Sequence, residues 1–325
     1  MGLTPKEKQR IQQWNEGLRR DVTLQLVTTE DKRSSKFEHF CDMLCGLAPC
    51  VRLTREKEAS EEPPVLAVGP RLEYHALPMG HELDPFLAAL SQGPAEPAQL
   101  TRPVQEAVAA ITLPVFVKLF VTNHCPQCPE TVRRLIRFHN ASEQIYVTVI
   151  DGGLFPDIAA QYGVRSAPTV LLDNQFRWTG PVPLEELAHL AAKRDPSRLG
   201  ATSLENMIKD GKAFDLARIM LEHKQIFPAL LDLLVHEKIF VRLGAIVVLE
   251  TIAAEDPCLA GQVVDPLWSR FPDAPDPIKG DILYVMGTSG ARHAVPMLKA
   301  VLDGSFEEPV KEAALEALEA LEPTS

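Results

Sequence analysis

Cys125 and Cys128 lie three positions apart in the run Asn123-His124-Cys125-Pro126-Gln127-Cys128-Pro129. The run sits between an apolar stretch that reads as a strand, Pro114 to Val121, and helical spacing over 126–140. A thiol at the first turn of a helix faces unpaired backbone N–H groups and the positive end of the helix dipole, which favour thiolate. Two thiols so placed can exchange with a disulfide: one attacks it, and the second resolves the mixed disulfide. Cys125, at the exposed start, is the candidate nucleophile, and Cys128, one helical turn further in, the candidate resolving thiol. The helix end supplies about 1–2 kcal/mol, roughly one pKa unit, which brings a thiol from ~8.5 toward neutrality. His124 adjoins Cys125, and a protonated imidazole would add to this bias; a solvated loop histidine is the plainer alternative.

Half a zinc site is a rival reading of the same spacing. It needs a second ligand pair, and His124 and His139 do not form one in sequence. Two buried structural cysteines are a further rival, disfavoured by the Asn-His approach and the prolines that mark a turn. Cys41 and Cys45, four apart on a helix with Phe37 and Leu44, read as core, and Cys50 and Cys258 as structural. Forty residues beyond the dithiol, Pro168 precedes a strand in Val164-Arg165-Ser166-Ala167-Pro168-Thr169-Val170. A cis bond there would open the backbone of Ala167 to an extended substrate chain, whereas taken alone a trans proline at a strand entry is the commoner case.

Periodicity divides the elements that position these residues into three blocks. In the first, 4–18 reads as a helix, Val22 to Val27 as a strand, 34–47 as a helix, and a short strand follows near Val51. Two strands around Gly69-Pro70 and a helix from about Gly80 to Ser91 complete it. After a linker, Gln92 to Pro97, the order recurs: strand 114–121, helix 126–140, strand 145–151, short helix 155–162, strands 169–172 and up to Thr179, helix 183–194. The position of the dithiol reads Thr28-Thr29-Glu30-Asp31-Lys32-Arg33 in the first block. From about residue 200 only helical spacing remains. Phe240-Val241-Arg242, Pro277-Ile278-Lys279 and Pro309-Val310-Lys311 open similar segments, spaced 37 and then 32 residues apart. Helical pairs of such period stack into a solenoid, and the acidic last helix suits its cap. The expected domains are 1–97, 98–196 and 200–325.

A length of 325 residues suits two or three domains, and 46% hydrophobic with 24% charged residues marks a folded chain. The net charge of −11 argues against nucleic acid and anionic membrane surfaces. Charges at the N-terminus in place of a secretory apolar core, and six cysteines in so long a chain, lead to the expectation of a cytoplasmic protein without a membrane span.

Cys-Pro-Gln-Cys after a strand, with Ser166-Ala167-Pro168-Thr169 ahead of the next antiparallel strand, resembles the thioredoxin/glutaredoxin superfamily. Leu77-Pro78-Met79-Gly80-His81-Glu82, His124 to Pro129 and Ile150-Asp151-Gly152-Gly153-Leu154-Phe155 narrow the resemblance to the N-terminal domain of the flavoprotein subunit of bacterial alkyl hydroperoxide reductase. It covers roughly 1–196 and implies an α/β region of two tandem thioredoxin-like folds, the first without its dithiol, with an all-α HEAT-like solenoid following here. It further implies that Pro168 is cis and that Glu82 lies close to Cys125 and Cys128 and influences their titration; without it, Glu82 is a solvated residue at a helix start. No Gly-x-Gly-x-x-Gly fingerprint for flavin or NAD follows, so no bound cofactor is expected and electrons would come from a separate donor. The expected activity is thiol–disulfide exchange, reducing protein disulfides of clients that the resemblance suggests are peroxiredoxin-like. The alternative is a redox-sensing binding module, its helical repeats docking a protein and its dithiol acting as a switch.

Overall fold

The computed structural model describes residues 2–91 and 100–321. The linker expected over 92–97 lies outside them. The chain forms two compact units, 1–193 and 194–325.

The first unit opens with helix α1, Pro5–Glu16, whose entry is fixed by a reciprocal cap: the Glu7 N–H donates to the Thr4 hydroxyl and the Thr4 N–H to the Glu7 carboxylate. Strand β1 (Val22–Thr28), helix α2 (Ser34–Leu47) and strands β2 (Val51–Lys57), β3 (Val65–Ala67) and β4 (Leu72–His75) follow. A 3-10 turn, Gly80–Glu82, leads into α3 (Leu83–Ser91). Next come α4 (Arg102–Ala109), β5 (Val115–Val121), α5 (Cys128–Asn140), β6 (Ile145–Asp151), α6 (Pro156–Gln161), β7 (Thr169–Leu172), β8 (Phe176–Thr179) and α7 (Leu184–Lys193). Sequence reading missed α4. Its signal was present in Val104 and Val108, one turn apart and both buried, behind Pro103 at the helix start.

These strands form one sheet in the order β2-β1-β3-β4-β6-β5-β7-β8. β1 runs parallel to β2 and antiparallel to β3, and β4 antiparallel to β3. The second half repeats this order and sense with β5, β6, β7 and β8. Parallel pairing of β4 with β6 joins the halves and sets Tyr74 beside Val149. β5 lies inside the sheet, and its sequence VFVKLFV is buried at every position but Lys118, as a strand covered on both faces requires. Behind β4, the Tyr74 ring stands edge-on to Phe86, centroids 5.2 Å apart, and Phe86 edge-on to Phe40 at 6.1 Å.

The second unit is helical: α8 (Ala201–Lys209), α9 (Ala213–His223), α10 (Pro228–Leu233), α11 (Ile239–Glu255), α12 (Pro257–Ala260), α13 (Val264–Arg270), α14 (Asp276–Thr288), α15 (Val295–Asp303) and α16 (Glu308–Leu321). The three similar segments open α11, α14 and α16; α11 packs on α14, and α14 on α16. Gly287 permits the second contact, since a Cβ there would stand 2.7 Å from the Ala317 Cα. Arg242, buried at the head of α11, binds Asp281 of α14 at 2.5 Å and donates to the carbonyls of His236 and Glu237. Phe214, Ile239, Phe240 and Leu243 are exposed. Among the described residues no helix is long and apolar enough to cross a membrane.

Candidate active site

β5 delivers the chain to the turn that carries the dithiol. The Cys125 N–H donates to the Thr122 carbonyl at 3.0 Å, and α5 opens at Cys128 rather than at 126. Cys125 therefore belongs to the turn, and Pro129 stands where a helix has an N–H to spare. The two cysteines form a disulfide, Cα atoms 5.5 Å apart, and the Cys128 N–H points at the Cys125 Sγ from 3.1 Å. That N–H is one of the donors a helix start leaves unpaired, so the helix-end effect takes the form of a directed bond.

The nucleophile was expected at an exposed start, and the structure corrects this. Cys125 is 8% exposed and Cys128 fully buried. The cover comes from the loop before β7, where the Ala167 carbonyl oxygen lies 3.5 Å from the Cys125 Sγ. The Ala167–Pro168 bond is cis. Thr169 Oγ1 donates to the Ser166 carbonyl at 2.7 Å, and the Gly180 N–H to that of Pro168 at 2.8 Å, which tie the loop to β7 and β8. His124 is exposed.

Glu82 is not solvated. It is 2% exposed, in a 3-10 turn packed against α5, and neither carboxylate oxygen has a hydrogen-bond partner among the described residues. Gly80, at φ +62°, makes the turn possible, and α1 straps it down. The Gly80 N–H donates to Glu7 at 2.6 Å, Arg10 pairs with Asp84 at 2.5 Å, and Trp14 Nε1 donates to Ser91 at 2.6 Å. Burial pushes the Glu82 carboxyl up to about 7; Arg133 opposes the rise and Asp151 adds to it. It thus changes charge near neutral pH. Asp151 closes β6, its Oδ1 accepting the N–H groups of Gly153 (2.8 Å) and Leu154 (3.2 Å).

In the first half, ion pairs replace the thiols. Arg33 binds Asp31 at 2.6 Å and Asp157 at 3.1 Å, donates to the Leu154 carbonyl at 3.0 Å, and lies 4.1 Å above the Phe155 ring. Side-chain hydrogen bonds to Asp31 raise the pKa of Arg33, so its charge is fixed. The loop after β6, whose N–H groups bind Asp151, is thereby held to the first half. Nothing in the spacing of Asp31 and Arg33 showed this, because the other partners of Arg33, Leu154 and Asp157, are more than 120 residues away.

Cys41 is buried and its thiol pushed up to about 12 by burial, with Cys45 adding to the rise; Cys45 is half-buried. Cys50 is half-buried and Cys258 exposed, so the structural role expected of Cys258 does not hold. Among the described residues no three His, Cys, Asp or Glu side chains are grouped to hold a metal ion.

Residues 115–190 match the Thioredoxin_3 family, described as a thioredoxin domain. The chain is 27% identical over 205 residues to an NADH dehydrogenase of Ferdinandcohnia aciditolerans, covering 61% of this chain and 39% of that protein. It is 22% identical over 213 residues to the AhpF component of alkyl hydroperoxide reductase from Staphylococcus epidermidis, covering 64% and 40% respectively. It therefore spans about two fifths of the length of these relatives. Its fold is like that of the NTD_N/C domain of the alkylhydroperoxide reductase AhpF from Enterococcus faecalis, with a TM-score of 0.50 at 20% identity, covering 59% of this chain and all of that one. The chain thus carries a thioredoxin-fold domain like the N-terminal part of AhpF, followed by an all-helical region.

Proposed function

We propose that the protein is a thiol–disulfide oxidoreductase that reduces protein disulfides through Cys125 and Cys128. The observation that carries this is the disulfide at the head of α5, with the Cys128 N–H aimed at Cys125 and the Ala167 carbonyl beside it. In the reduced enzyme the Cys125 thiolate attacks one sulfur of a client disulfide; a mixed disulfide forms, and the client's other sulfur leaves as a thiolate that takes up a proton. Cys128 then loses its proton and attacks the Cys125 sulfur, freeing the client's second thiol. Two electrons pass to the client, and a separate dithiol reductase restores the Cys125/Cys128 pair. Glu82 tempers thiolate formation when ionised and accepts a thiol proton. The backbone at Ala167 and cis-Pro168 aligns an extended client chain, with His124 at the rim.

The repeated strand order supports reading the first unit as two tandem thioredoxin-like folds, 1–97 and 98–196, the first without a dithiol. Stacking of α11, α14 and α16 supports a HEAT-like solenoid over 200–325. Peroxiredoxin-like clients and a cytoplasmic setting complete the proposal. Reduction of a disulfide-bonded protein, with dithiothreitol as donor, tests it: Cys125→Ser is expected to lose activity by about 100-fold or more. Undiminished turnover in that variant removes the proposal.

Exposed Phe214, Ile239, Phe240 and Leu243 favour a second reading, in which the helical unit docks a protein and the dithiol switches binding. Capture of a partner by only one redox form, without turnover of that partner, separates it from the first.

A further inference from the structure

Two buried polar side chains of the first unit, Tyr74 and Glu82, lie in one layer. Tyr74 is 1% exposed, and its hydroxyl, like both oxygens of Glu82, has no hydrogen-bond partner among the described residues. Three elements bring the two together. Tyr74 of β4 is in register with Val149 of β6, and Asp151, two residues on, projects from the same face of that strand. The Tyr74 ring meets Phe86 edge-on, and Phe86 is four residues beyond Glu82 on a continuing helical path, so Glu82 and Phe86 share a face. α3 and the turn before it pack on α5, which begins at Cys128. Tyr74, Glu82 and the dithiol thus occupy the layer between the sheet and these helices.

Buried polar atoms are almost always satisfied, by protein or by ordered water. A hydroxyl and two carboxylate oxygens at one place supply the polar partners that a buried water needs. We propose that Tyr74 is a positioning residue for the dithiol, holding one buried water between its hydroxyl and the Glu82 carboxyl and so setting the charge that Cys125 and Cys128 meet. This rests on the oxidoreductase reading above. The hydroxyl donates to the water, and the water donates to the carboxylate, which favours the ionised form of Glu82. The Glu82 charge reaches Tyr74, whose phenol is raised first by burial and then by that charge. The charged groups that bear on Glu82 are Arg133 of α5 and Asp151 of β6, with Glu7 of α1 at the neighbouring Gly80 N–H.

The test compares full-length wild type, Tyr74→Phe, Glu82→Gln and the double variant in the reduced state. The infrared C=O band of the protonated carboxyl, assigned by its loss in Glu82→Gln, is titrated in each. Tyr74→Phe should move the Glu82 midpoint up by about 0.5–1 pH unit. Iodoacetamide should alkylate Cys125 of Tyr74→Phe about two to five times faster than wild type near pH 7, because less of Glu82 is ionised. In the Glu82→Gln background the same substitution should leave the rate unchanged. Phe86→Leu, which alters the ring contact and keeps the hydroxyl, should leave the midpoint in place. An unmoved midpoint in Tyr74→Phe, an equal shift in Phe86→Leu, or the same rate factor in both backgrounds would overturn the proposal. Disulfide reduction that survives Cys125→Ser would instead remove the oxidoreductase reading and leave the midpoint result standing.

Discussion

The backbone N–H of Cys128 donates to the sulfur of Cys125 across 3.1 Å, so the proposed resolving residue also supplies a hydrogen bond to the sulfur of the proposed nucleophile. The turn that carries the buried Glu82 carboxyl, from the half of the sheet without the dithiol, packs on the helix that Cys128 opens. In the proposed mechanism the two act against each other: the N–H favours a negative sulfur at any pH, and Glu82 opposes it only once ionised.

Glu82 should make stability depend on pH in a defined window. Its folded pKa, about 7, lies above the ordinary value of 4.5, so the folded chain holds a proton that the unfolded chain has lost between those limits. Folding is therefore weakened as pH rises from 4.5 to about 7, and the full cost is present above that. Chemical denaturation of Glu82→Gln should show a gain relative to wild type that grows over this range to roughly 3 kcal/mol. A difference independent of pH would show that the carboxyl is not perturbed by burial.

Arg33→Ala should destabilise the first unit at pH 7 by about 1–3 kcal/mol, since it strands the nearly buried Asp31 and frees the loop after β6. Hydrogen bonds from Arg33, its side chain's being the largest cause, hold the Asp31 carboxyl below its ordinary value of 3.8. The stabilisation is present above that value and is lost as pH falls through the lower folded value. Urea titrations at pH 7 and in acid should therefore show the deficit shrinking in acid.

Gly287→Ala should cost about 1–3 kcal/mol in the helical unit, because α14 and α16 must part to admit the methyl group against Ala317. Gly280→Ala on the same helix, where a Cβ meets nothing within 4 Å, is the control and should be neutral or slightly stabilising. Thermal melts of both variants give the comparison directly.

The chemistry-bearing part of the fold was legible because its signals are local. Apolar Val115 to Val121, the Cys-Pro-Gln-Cys turn and the amphipathic run after it place the dithiol within three residues of the observed helix start. Glu82 was legible only by resemblance, since Gly-His-Glu before Leu83 reads as a solvated helix entry. Its burial depends on the pairing of β4 with β6 and on α5, 46 residues away in sequence at its start, and no local pattern encodes that. The burial of Cys125 has the same cause, a loop some forty residues on that closes over its sulfur. The Arg33 cluster was silent for the reason that made the dithiol loud: the first is assembled at long range, the second by adjacent residues.

The central claim is that Cys125 attacks and Cys128 resolves. Expressing Cys128→Ser in cells and resolving its adducts by non-reducing electrophoresis and mass spectrometry tests it most directly. The account predicts protein adducts joined through Cys125, released by dithiothreitol and absent from the Cys125→Ser/Cys128→Ser double variant. Adducts that persist in the double variant, or that map to Cys50 or Cys258, would contradict it.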